Sequence, residues 1–147
     1  MHKIDLDRFL SAQRDVFDTA MHEIRAGKKR THWMWFVFPQ ITGLGSSAMS
    51  TRYAINSIEE AKAYHAHPLL GERLRMITEA MNNAAPNDPA AILGPIDAIK
   101  FQSSATLFEF VSADQKCFRT ALDKFFAGRP DEATVRQIAI WQNVIDS

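Results

Sequence analysis

The chain has 147 residues, 46% of them hydrophobic, enough to bury roughly 70% of its unfolded surface in one domain and too apolar for intrinsic disorder. Lys plus Arg and Asp plus Glu number 17 each, which argues against a generally basic surface for nucleic acid or an anionic membrane. Cys117 is the only cysteine, so no intrachain disulfide can form. The N-terminal residues lack the apolar stretch of a secretory signal, and no apolar run nears the ~20 residues that span a bilayer. The expectation is a soluble, cytoplasmic protein forming a single globular helical domain over 1–147.

Asp5 to Ala26 reads as one long amphipathic helix. Phe9, Gln13, Phe17, Ala20 and Ile24 recur at three- and four-residue steps. Asp5 can cap its start and Gly27 can end it. Lys28, Lys29 and Arg30 then form a solvated basic turn near the negative helix end.

The stretch that organises the chain comes next: Thr31-His32-Trp33-Met34-Trp35-Phe36-Val37-Phe38-Pro39-Gln40. Apolar residues on every side of a short segment mean burial on all faces. A short helix capped by Thr31 and running through Phe38 is predicted over a strand, because no partner strand appears elsewhere. Pro39 ends it. Gln40 to Thr51 reads as loop, with at most one turn at Ser46–Met49. A polar, glycine-punctuated loop leaving a buried segment is a common pocket wall.

Ser57-Ile58-Glu59-Glu60 is a capping box opening a helix to about Ala66. Pro68 starts another, with Leu70, Leu74, Ile77 and Met81 on its buried face. Asp88-Pro89 opens a short helix that Gly94-Pro95 closes. Asp97 to Val111 is helical, with Ile96, Ile99, Phe101, Leu107, Phe108 and Phe110 assigned to the core. Asp114 to Ala127 is an amphipathic helix that Gly128 ends. Asp131 caps a last helix through Ile145, built on Val135, Ile138, Ile140 and Trp141. The predicted fold is all-α: a compact, single-domain orthogonal helical array of about seven to eight helices.

Motifs of established chemistry are missing: no phosphate-loop lysine signature, nucleophile elbow, zinc-type spacing or calcium loop. No metal site and no cofactor are expected. His65 and His67 lie two apart, off a common helix face, and read as exposed residues at a helix end. Weaker signals remain. Gly43 and Gly45 let backbone N–H groups converge on an anion, with Ser46 and Ser47 as further donors, although the same pattern serves ordinary turns. His32 beside the aromatic run is either a hydrogen-bonded core histidine or a catalyst. Trp33 and Trp35 cannot face the same way on a helix, so one can be core and the other a platform for a ring-shaped ligand. Burial of both is the plainer reading.

Asp97, Lys100 and Ser104 share a helix face, and Gln102, Ser103 and Ser104 interrupt an apolar helix. A buried Lys100 could act as a base, whereas an exposed one would only pair with Asp97.

The run from Thr31 to Gln40, with Gly43-Leu44-Gly45-Ser46, resembles the hallmark of a small bacterial family filed as a domain of unknown function, family 1810. The similarity continues through Asp5-Leu6-Asp7-Arg8-Phe9, Glu60-Ala61, Tyr64, Leu70-Gly71 and Arg73-Leu74. Asp97, Lys100, Ser103-Ser104 and Thr106-Leu107-Phe108 extend it, then Gly128, Asp131 and Thr134. The resemblance implies a compact, mainly α-helical domain and no established activity. Some members bear the label calpastatin, an inhibitor disordered until bound. Ten phenylalanines and three tryptophans are at odds with that label.

Two functions follow. In the first, the chain is a small-molecule binding protein or enzyme with a pocket for a phosphorylated or nucleotide-like ligand. His32, Lys100 and Asp97 would then be the candidate catalytic residues. Trp33, Trp35, Gln40, Gly43, Gly45, Ser46, Ser47, Ser103 and Ser104 would be the binding ones. In the second, it is a non-catalytic protein-interaction module whose aromatic stretch is structural core.

Overall fold

The computed structural model describes residues 4–112 and 115–146. Among them the fold is all-α, with no strand and one isolated parallel bridge between Ile41 and Ile55. The helices are α1 (Asp7–Gln13), α2 (Phe17–Arg25), α3 (Met34–Val37), α4 (Ala48–Arg52), α5 (Ile58–Ala66), α6 (Leu70–Asn83), α7 (Pro89–Leu93), α8 (Pro95–Val111), α9 (Cys117–Phe126) and α10 (Glu132–Asp146). No described helix is long and apolar enough to cross a membrane.

Ten helices rather than seven or eight arise from two local causes. The expected helix from Asp5 to Ala26 is broken, because Val16 N donates to Gln13 O at 3.1 Å, a tight turn in place of the helical ladder. Phe9 and Phe17 remain buried on both sides of the break, so the periodicity is the same with or without it. The second cause is α4. Ser47 is extended and its Oγ accepts from Ser50 N at 3.1 Å, which nucleates a short helix where mostly loop was expected.

Several expected caps are present. Ser57 accepts from Glu60 N, Asp88 from Ala90 N and Ala91 N, and Asp131 from Thr134 N at 2.9 Å. Others differ. Thr31 does not cap α3; its hydroxyl donates to Glu23. The helix expected from Pro68 begins at Leu70, where His67 Nδ1 accepts from the N–H groups of Leu69 and Leu70. His67 is half-buried rather than simply exposed, and so is His65, whose ring lies edge-on to Phe118 at 6.4 Å. The expected start of α9 at Asp114 lies outside the described residues.

Phe9, Trp33, Phe38, Tyr64, Phe101, Phe108 and Phe118 form the aromatic centre, with Leu70, Leu74, Ile77 and Met81 of α6 all buried as predicted. Phe38 meets Phe101 edge-on at 5.0 Å, and Phe9 meets Tyr64 likewise. A polar knot lies among them. Gln13 Nε2 donates to Phe36 O at 2.8 Å and to Tyr64 Oη at 2.9 Å, joining α1, α3 and α5. Burial pushes the Tyr64 hydroxyl well above its ordinary pKa, against the opposing pull of Gln13 and Arg73.

Helix α8 corrects the core assignment. Phe101, Leu107 and Phe108 are buried, but Ile96 is 71% exposed, Ile99 59% and Phe110 44%. The buried positions are instead filled by Ala98, Ser103, Ser104, Ala105 and Thr106. Helices α5, α7, α9 and α10 all pack on α8, and small side chains let them approach closely. Ser103 and Thr106 satisfy their hydroxyls on the helix's own carbonyls, Ile99 O and Gln102 O. On α10, Val135 and Ile140 are likewise exposed rather than core, while Ile138 is buried.

Candidate functional site

Glu23 shapes the approach to the site. Its carboxylate is buried and accepts from Arg30 N, Thr31 N, Thr31 Oγ1 and Trp33 Nε1, at 2.7–3.1 Å. Burial alone would raise its pKa; the four donors outweigh that and hold it at about 2. The fixed turn buries Trp33 completely and leaves Trp35, two residues on, half-buried on another face. His32 is turned out to solvent.

Trp35 forms one wall of a cavity of about 330 Å³. The second wall is the loop carrying Gln40, Ile41, Gly43, Leu44 and Gly45, pinned by backbone bonds from Ile55 N to Gln40 O and from Thr42 N to Ile55 O. Gly43 has φ +90°, a conformation L side chains rarely adopt. A Cβ on Gly45 would press on Ser50 at 3.1 Å, so glycine lets the loop close onto α4. The floor is α8, with Ile96, Ile99, Lys100 and Ser103. Asp131 and Ala133, at the start of α10, close the far side, and Tyr53 and Ala54 the back. The lining is mainly apolar with few polar groups, the usual make-up of a small-molecule site.

The cationic group at this cavity is held from two directions. Lys100 Nζ lies 3.6 Å from the Trp35 ring centroid and 3.0 Å from Asp97 Oδ1. Asp97 Oδ2 in turn meets Lys29 Nζ at 3.0 Å, and Lys29 lies over the Trp33 ring at 5.2 Å. One carboxylate therefore serves two ammonium groups, and the cluster keeps one positive charge. Its side chains are only 10–17% exposed, so water screens that charge weakly. Lys29 is thus part of a buried network rather than of a solvated turn.

Of the residues predicted from sequence, Trp35, Gln40, Gly43, Gly45, Lys100 and Ser103 line the cavity. Asp97 lies behind Lys100, outside the lining. Trp33 and Ser104 are buried in the interior, and Ser104 Oγ has no hydrogen-bond partner among the described residues. Ser46 and Ser47 are exposed and off the cavity, with Ser47 engaged as a cap. Because Lys100 covers one face of Trp35, that face is a seat for the ammonium rather than for a ring. Sequence reasoning missed Ile96 and Ile99, assigned to the core, and Asp131, assigned only to a cap. Among the described residues, no three or more His, Cys, Asp or Glu side chains are grouped to hold a metal ion.

A helical domain with an apolar cavity and one held lysine defines a class of structure rather than an activity. The chain belongs to the family described as "Protein of unknown function (DUF1810)", whose model matches residues 3–138. It is similar to a solved structure, the conserved hypothetical protein Rv1873 from Mycobacterium tuberculosis. The two are 46% identical with a TM-score of 0.90, over 92% of this chain and 97% of that one. No functionally curated protein matches the chain.

Proposed function

We propose that the chain binds a small phosphorylated or nucleotide-like molecule in the cavity between Trp35, the Gln40–Gly45 loop and α8. The observation that carries this reading is Lys100: a cation at the wall of a largely apolar cavity, held ready by Trp35 and Asp97. Ammonium and phosphate attract strongly where water is scarce. Asp97 need not be left uncompensated when a ligand takes Lys100, because Lys29 remains on its other oxygen. The apolar lining suits the body of the ligand, and a cavity of about 330 Å³ is at the size of a small metabolite. His32 has no part in this reading, since it points to solvent away from the cavity.

The test is a thermal-shift and calorimetric screen of nucleoside monophosphates and sugar phosphates against the parent and Lys100→Met. A ligand that binds only the folded state raises Tm. The expected result is a binder whose affinity falls by roughly 2–5 kcal/mol in Lys100→Met. Equal affinity in both proteins would remove Lys100 from the site and overturn the reading. The interaction-module alternative would show no small-molecule binding at all.

A further inference from the structure

The cavity is lined by one residue of each charge, Lys100 and Asp131. The α8 residues that line it, Ile96, Ile99, Lys100 and Ser103, occupy an arc of roughly 100° at 3.6 residues per turn. Lys100 stands at one edge of that arc. Thr106 lies just beyond the other edge, about 9 Å further along the axis at 1.5 Å per residue. There Thr106 Oγ1 accepts from Asp131 N at 2.9 Å, which fixes Asp131 at the opposite side of the cavity.

Asp131 is only partly used by the fold. Its Oδ2 accepts from Thr134 N at 2.9 Å and from Thr134 Oγ1 at 2.6 Å, capping α10. Its Oδ1 accepts no hydrogen bond among the described residues, and Asp131 borders both this cavity and the shallower depression beside Arg129. A half-buried carboxylate with a spare oxygen in a cavity wall repels anions and attracts N–H donors. We infer that Asp131 is a specificity-determining residue: the cavity takes a ligand with an anionic group at Lys100 and an exocyclic amino group at Asp131. This inference rests on the ligand-pocket reading above. It adds a direction to that site, since a molecule placed the other way would put its anion against Asp131. For a nucleotide-like ligand, it selects bases with an exocyclic amino group over those with a carbonyl in its place.

The experiment compares two matched pairs, adenosine with inosine monophosphate and cytidine with uridine monophosphate. Calorimetric titration is run on the parent, Asp131→Asn and Lys100→Met. Asparagine is as good a helix cap as aspartate, so Asp131→Asn should fold. The amino-bearing member of at least one pair should bind the parent roughly tenfold or more tightly, the usual weight of a hydrogen bond to a charged group. Asp131→Asn should shrink that preference to about twofold or less, because its amide can donate as well as accept. Lys100→Met should weaken both members of the pair alike. Equal binding of both members to the parent, both lost in Lys100→Met, would overturn the role of Asp131 while the pocket reading stands. A preference unchanged in Asp131→Asn would overturn it too. No binding by any of the four would overturn the nucleotide reading and this inference with it.

Discussion

Lys100 rests its ammonium on the face of Trp35, 3.6 Å from the ring centroid, while Trp33, two residues earlier, donates its indole N–H to Glu23 at 2.8 Å. The two tryptophans of one short segment therefore have different work. Trp33 is fully buried and closes the core; Trp35 is half-buried and holds a charge at a cavity.

That division has a consequence for stability. Trp33→Ala should cost about 3–5 kcal/mol, the range for deleting a large core side chain, and it also strips Glu23 of a donor. Trp35→Ala should cost less, about 1–3 kcal/mol, since part of its surface already faces the cavity and the lost cation–π contact is worth about 0.5–2 kcal/mol. Urea denaturation of both variants checks the order. A larger loss for Trp35→Ala would show that it, not Trp33, anchors the segment.

Much of this was legible in the sequence, and the misses have physical causes. The caps at Ser57, Asp88 and Asp131 are short-range hydrogen bonds whose partners lie within three residues, so their pattern suffices. The buried stripe of α6 has a clean helical period. Helix α8 does not: nearly every face touches a neighbour, and burial there follows how closely helices approach rather than side-chain size. Ser103 and Thr106 are buried because they are small, while Ile96 and Ile99 face a cavity that only the folded loop creates. Glu23 lies on the same helix as the core residues Ala20 and Ile24. Its partners seven to ten residues away are set by a turn with no sequence signature.

Glu23 also makes a pH prediction. Its folded pKa of about 2 lies below the ordinary carboxylate value of 4.5. Its contribution is therefore fully present above about pH 4.5 and is lost as pH falls toward 2. The size is about 3 kcal/mol by linkage. Glu23→Gln should be clearly less stable than the parent at pH 7, and the gap should narrow at pH 3. A gap that stays constant between these pH values would show that the carboxylate charge does not carry the turn.

Cys117 should behave as a structural residue. It is 8% exposed at the start of α9, and burial first, then the nearby Glu79 charge, push its thiol up to about 11. Almost no thiolate exists at neutral pH, and access is poor. Labelling by a thiol reagent at pH 7.5 should be slow in the folded protein and fast in denaturant. Equal rates in both states would show an open, reactive cysteine.

The last prediction concerns the back wall of the cavity, which is clamped from a distance. Arg8 on α1 donates to the carbonyls of Arg52 and Ala54 at 2.8 Å and to Glu60 Oε1 at 3.0 Å. Glu60 also accepts from Asn56 N, so one ion pair staples α1 and the 52–56 segment to the start of α5. The pair is 13% and 6% exposed, where removing one partner strands the other charge. Arg8→Met should therefore cost about 3–5 kcal/mol, as is usual for breaking a buried pair. Arg8→Met with Glu60→Met should cost less than the two single changes added together, because the second change removes the stranded charge. Tyr53 and Ala54 belong to both the clamped segment and the cavity wall. If the cavity binds as proposed, the single variant should thus loosen the wall and weaken affinity for a nucleoside monophosphate even under conditions where it is fully folded. A double-mutant cycle by chemical denaturation measures the coupling, and calorimetric titration of the folded Arg8→Met variant measures the affinity. Additive stabilities would mean that the two charges do not depend on each other. Parent-like affinity in Arg8→Met would mean that the clamp holds the fold but not the cavity.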